Sequence, residues 1–149
     1  MNSAGVHDDA IFQQVEIHAP AARVFTALTD PNELIRWWNW EGKFQLVHAE
    51  SDLRPGGKWS MRVSSCTPGH PDAVVHGEYR IVAPPYLLVY TWNRDGEDHP
   101  ETLVRWDLVE NNGVTTARVT HSGLNTERLR TRNSGWPMIV ARLQTHLEG

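Results

Sequence analysis

Apolar positions along the chain repeat first every two residues, then every three to four, then two again, then three to four. Residues 11–18 set Val15 and Ile17 against Gln14, Glu16 and His18, the repeat of a half-buried strand. From Pro20 to Thr29 the repeat lengthens. Val24, Phe25 and Leu28 fall on one helical face, and proline is tolerated in a first turn, where its missing N–H would be unpaired anyway. Asp30-Pro31-Asn32-Glu33 predicts a second, short helix, with Asp30 as cap, Pro31 in the first position and Glu33 completing a capping box. That helix runs into Trp37-Trp38-Asn39-Trp40 and ends by Gly42.

From Phe44 the two-residue period returns. Strands are expected at 43–50, around Trp59-Met61-Val63, and at 73–83 with Gly77, Tyr79 and Ile81 on one face. Further strands are expected around Leu88-Tyr90-Trp92, Val104-Trp106-Leu108 and Ala117-Val119-His121. Arg54-Pro55-Gly56-Gly57 is a turn, residues 66–72 a loop, Pro84-Pro85 a stop, and 94–100 turn-like. Asn111-Asn112-Gly113 is a strong hairpin signal. The last change of period joins Trp136, Ile139, Val140, Leu143 and Leu147 into one helical stripe. Pro137 either sits in its first turn or kinks a longer helix begun near Thr126.

The expected architecture is α+β: a curved antiparallel sheet of about six to seven strands, two short helices after the first strand, and a long C-terminal helix. Only that last helix is long enough to cover the sheet's apolar face. A bent sheet gripping one helix leaves space between them, and such spaces of ~300–1,000 Å³ are typical ligand sites. Residues 11–149 are read as a single domain of ordinary size, and residues 1–10, polar and acidic, as a disordered segment without the features of a signal peptide.

Composition narrows the function classes. The net charge of −4 argues against a general nucleic-acid binder, which needs a basic face. No apolar run approaches the ~20 residues of a membrane span. The single cysteine, Cys66, forbids an internal disulfide and fits a reducing, cytoplasmic setting. Seven tryptophans is the unusual total, and indoles serve cores and pockets alike.

Several segments carry a family resemblance. Residues 19–31, Ala-Pro-Ala-Ala-Arg-Val-Phe-Thr-Ala-Leu-Thr-Asp-Pro, resemble the opening of START-like (SRPBCC) helix-grip proteins. Trp37-Trp38, the run Asp52 to Trp59, Gly77-Glu78-Tyr79, the run Pro84 to Trp92, Thr120-His121-Ser122-Gly123-Leu124 and Gly135-Trp136 resemble one subgroup. That subgroup is similar to the C-terminal domain of the activator of heat-shock protein 90 ATPase. The resemblance spans about residues 11–148 and implies the helix-grip fold. It implies function less narrowly, because relatives include lipid carriers, hormone-binding proteins, polyketide cyclases and the co-chaperone.

The candidate cavity residues are Trp37, Trp38, Trp40, Tyr79, Tyr90, Trp92, His121 and Trp136. The three early tryptophans suit a cavity mouth or a hydrophobic plug. His121 suits a ligand-orienting group, an acid/base or, by preference, a hydrogen-bonded core histidine. Tyr79, Tyr90 and Trp92 combine an apolar body with a polar handle. Trp59, Met61 and Trp106 read as plain core. Neither the His76/Glu78 nor the His70/Asp72 pair has the convergent spacing of a metal site, and no catalytic set, metal or cofactor is expected. Arg128, Arg130 and Arg132 read as a solvated edge that an anionic ligand or partner could use. The leading expectation is a module that binds a small apolar or aromatic molecule. The alternatives are a co-chaperone contacting a chaperone or other protein, and a cyclase- or hydrolase-like enzyme. Free strand edges could also pair two copies as a homodimer.

Overall fold

A computed structural model describes residues 3–7, 9–97 and 100–149. After strands β1 (Ser3–His7) and β2 (Ala10–Ile17), helices α1 (Ala21–Thr29) and α2 (Pro31–Trp37) cross over to β3 (Asn39–Trp40). An antiparallel run follows through β4 (Phe44–Ser51), β5 (Lys58–Ser65), β6 (Ala73–Ala83), β7 (Leu87–Arg94), β8 (Thr102–Asn111) and β9 (Val114–Ser122). Helices α3 (Glu127–Arg132) and α4 (Trp136–Glu148) close the chain. Among the described residues the strands form one sheet in the order β1-β2-β9-β8-β7-β6-β5-β4-β3.

That sheet is wider than expected by two short strands. Ser3–His7, in the segment expected to be disordered, pair with Ala10–Gln14 as β1. The edge of β2 offers a row of backbone donors and acceptors, and pairing satisfies them without any apolar pattern in the added strand. Met1, Asn2 and Asp8 of that segment, and Asp98 and His99 of the 94–100 turn, lie outside the described residues. β3 is two residues long and lies within the tryptophan-rich stretch.

Local chemistry explains the helices. Asp30 accepts a hydrogen bond from the N–H of Asn32 (2.9 Å) with Pro31 opening α2, as expected. Glu33 does not close a capping box. Its carboxylate instead binds Arg23 (2.6 Å) and His146 (2.8 Å), tying α2 to α1 and to the end of α4. Burial acts to raise the Glu33 pKa, but the hydrogen bonds and charges of His146 and Arg23 outweigh it and hold the carboxyl below its ordinary value. The chain from Thr126 is not one kinked helix. α3 ends at Arg132, capped at its start by the Thr126 hydroxyl (3.1 Å to Leu129 N), and α4 restarts at Trp136 with Pro137 in its first turn.

Two irregularities bend the sheet. The β4–β5 register shifts between Leu46 and His48, and the β6–β7 register between Tyr79 and Ile81. The second bulge corrects the face expected for Ile81. With Arg80 as the extra residue, Ile81 pairs with Val89 and points outward, 41% exposed, while Val82 packs on the core. Gly77 marks a close approach, since a Cβ there would sit 1.9 Å from the Thr91 carbonyl oxygen. The Asn112-Gly113 hairpin forms as expected, with φ of 52° and 80°. α4 then lies in the concave face, burying Trp136, Ile139, Val140 and Leu143.

Candidate ligand-binding site

The space beneath the sheet is filled mostly by rings. Trp92 and Trp136 lie at the centre, 5.7 Å apart between centroids. Trp38 meets Trp92 at 6.1 Å and, edge to face, Trp136 at 5.8 Å, Trp59 meets Trp92 at 5.4 Å, and Trp106 meets Trp136 at 5.9 Å. A void bounded by Leu28, Trp38, Met61, Tyr79 and Tyr90, with Glu50 and Ser51 at its edge, measures about 20 Å³. That is near the size of one water and too small for an organic ligand.

The larger space opens at one end, between β3–β7 and the elbow joining α3 to α4. It measures about 510 Å³, within the range of small-molecule sites. Trp38, Trp40, Trp92 and Trp136 line it, with Phe44, Val63, Val75 and Ile139 extending the apolar wall. Lys43, His70, Arg94, Arg132 and Ser134 supply its polar rim. Local structure sets this division. β7 alternates so that Trp92 and Arg94 share a face, and the α3–α4 break leaves residues 133–135 as a turn beside the indoles.

Of the eight candidate residues, the structure brings four into this cleft: Trp38, Trp40, Trp92 and Trp136. The other four lie elsewhere. Trp37 is fully buried, its indole N–H donating to the Ala27 carbonyl at 2.9 Å. Tyr79 pairs with the Ser51 hydroxyl at 2.7 Å, and Tyr90 accepts from the Trp106 indole at 3.0 Å. Burial pushes the pKa of both phenols up. The Asp52 charge adds to this at Tyr79 against the Ser51 hydrogen bond, and the Tyr79 charge adds at Tyr90 against the Trp106 hydrogen bond.

His121 has 0% exposure and lies behind Trp92 and Trp136. The Trp136 indole N–H can only donate, so Nδ1 of His121 accepts from it (3.1 Å). The proton of the neutral ring then sits on Nε2 and donates to Thr102 Oγ1 (2.7 Å), whose own hydrogen goes to the Trp92 carbonyl (3.0 Å). This chain ties the Trp136 indole and the Trp92 backbone to β8 and β9. His121 bears on the cleft by a hydrogen bond to the Trp136 indole and by ring contact with Trp92 and Trp136.

Residues 18–148 match the family of activator of Hsp90 ATPase homolog 1-like proteins. The chain belongs to that family. The START-like, helix-grip resemblance read from the sequence therefore holds. No curated protein matches the chain. Similar solved structures include a Chromobacterium violaceum protein, 22% identical over 95% of this chain and 99% of that one, with a TM-score of 0.79. A Mycobacterium smegmatis protein is 18% identical over 97% and 93%, with a TM-score of 0.80. These two likenesses show the fold alone. DynU16, a protein of the dynemicin biosynthetic locus, is 26% identical over 95% of this chain but 48% of its own, with a TM-score of 0.73.

The cleft's polar rim was the part least visible beforehand. Lys43, His70, Arg94 and Ser134 come from four separate segments, and only the fold joins them. Arg132 had a sequence signal in the alternating arginines before the last helix, and His70 one only as half of the His70/Asp72 pair. No described helix is long and apolar enough to cross a membrane. Among the described residues no group of three or more His, Cys, Asp or Glu side chains converges as metal ligands would.

Proposed function

We propose that this family member is a binding module for a small apolar or aromatic molecule, held in the cleft between Trp40, Trp92 and Trp136. The observation that carries this reading is a volume of about 510 Å³ walled by four indoles. The dynemicin-locus neighbour, a structural relative from a small-molecule biosynthetic setting, lends support. A naphthalene-sized body burying roughly 150–200 Å² of apolar surface gains about 4–5 kcal/mol at ~25 cal/mol per Å². Apolar burial alone therefore reaches affinities near millimolar.

Thermal denaturation across a panel of aromatic and aliphatic molecules tests the reading. A ligand at about ten times its Kd adds ~1.4 kcal/mol, roughly 3–6 °C for a chain of this size. Trp40→Ala removes one half-buried wall and is expected to abolish the shift with little loss of basal stability, whereas Tyr86→Ala, outside the cleft, leaves the shift intact. A panel in which nothing raises the melting temperature would sink the proposal.

A further inference from the structure

The cleft has an aromatic floor but a cationic rim. Lys43, Arg94 and Arg132 line it, and among the described residues no Asp or Glu does. Arg132 is already engaged, with Nη2 2.8 Å from Glu97 Oε1. Arg94 is different. It is half-buried at the end of β7, on the same face as Trp92, and its guanidinium makes no hydrogen bond or ion pair among the described residues. Desolvation and the nearby Arg132 charge press its pKa down, with Glu97 opposing them.

Glu97 is near enough to be felt by Arg94 but is ion-paired to Arg132 instead, and a partly buried cation without a direct ion pair is costly. A guanidinium offers a planar fork of donors matched to a carboxylate. We infer that the ligand is an amphipathic carboxylate, its apolar body on Trp38, Trp92 and Trp136 and its head group on Arg94. The inference rests on the reading of the cleft as a ligand site and adds the charge of what enters it. The bounded volume and the net charge of −4 favour a small molecule over a polyanion.

The test uses two matched pairs, 2-naphthoate with 2-naphthalenemethanol and decanoate with 1-decanol, titrated by tryptophan fluorescence. The intact chain is expected to bind each acid about tenfold or more tightly than its alcohol, the range of a charge-assisted hydrogen bond. Arg94→Met is expected to bring the acids down to the alcohols and leave alcohol binding unchanged. Because the variant removes an unpaired cation, its melting temperature should not fall. Should the variant not fold, salt provides the second readout in the intact chain: raising ionic strength weakens acid binding and spares the alcohols. Equal binding of acid and alcohol, or an acid preference that survives Arg94→Met, overturns the inference and leaves the cleft as an apolar site. If no member of either pair binds, the cleft reading falls and the inference with it.

Discussion

The hydrogen-bond chain behind the cleft can be broken at Thr102. Its hydroxyl accepts from His121 Nε2 at 2.7 Å and donates to the Trp92 carbonyl at 3.0 Å, beside a histidine with no solvent exposure. Thr102→Val keeps the shape but removes the acceptor at Nε2 and the donor to Trp92. Losing one partner of a buried pair costs about 1–3 kcal/mol, because the group left behind stays desolvated. For a chain of this length that corresponds to roughly 2–12 °C in melting temperature. His121→Leu alone takes the acceptor from the Trp136 indole and should cost a similar amount. In the double variant Thr102 and His121 no longer face each other as a broken pair, so its cost should fall short of the sum by about 1 kcal/mol. Urea and thermal denaturation of the four proteins close the cycle. A Thr102→Val cost below about 0.5 kcal/mol, or strictly additive single effects, would refute the account of His121 as a hydrogen-bonded core residue.

Other perturbations address the frame. Gly77→Ala forces a Cβ to within 1.9 Å of the Thr91 carbonyl oxygen and 2.8 Å of the Trp59 indole nitrogen. The β6 and β7 backbones must separate, so a loss of about 3 kcal/mol or more is expected in urea denaturation. Glu33→Gln weakens the clamp between α1, α2 and α4 and should cost about 1 kcal/mol at neutral pH, given partial solvent access. The folded-state pKa of Glu33 is lowered, so its contribution is present above the ordinary carboxylate range and lost as pH falls through the folded value. The difference between Glu33→Gln and the parent should accordingly shrink on acidification, and a gap that is constant with pH argues against the clamp.

β2 and the strands from β4 to β9 were legible where one face is buried and the other is not, which writes alternation into the sequence. Val15/Ile17 and Ala117/Val119/His121 show this directly, and the Asn112-Gly113 turn gave the β8–β9 connection. β1 and β3 were not legible, since edge pairing is a backbone matter and leaves no side-chain period. The bulge at Arg80 was also silent: one extra residue sends Ile81 outward and Val82 inward, yet the local composition still reads as plain alternation. The candidate site was half legible. Tryptophan content marked the region, but periodicity can say which face a residue takes and not how deep it lies. Trp37, Tyr79, Tyr90 and His121 are as buried as the pattern implies, yet none of them reaches the cleft. Arg94 gave no signal because its significance depends on what faces it across the cleft.

The seven indole N–H groups give a direct test of where a ligand sits, because each has its own resonance and its own place in the fold. A two-dimensional ¹H–¹⁵N spectrum, with indole signals assigned by single Trp→Phe substitutions, would be followed during titration with 2-naphthoate and 2-naphthalenemethanol. Shifts concentrated at Trp38, Trp40, Trp92 and Trp136, with Trp37, Trp59 and Trp106 nearly still, are the predicted result. Titrations that leave all seven in place, or move Trp37 and Trp106 while Trp40 and Trp136 stay fixed, would contradict the cleft as the binding site.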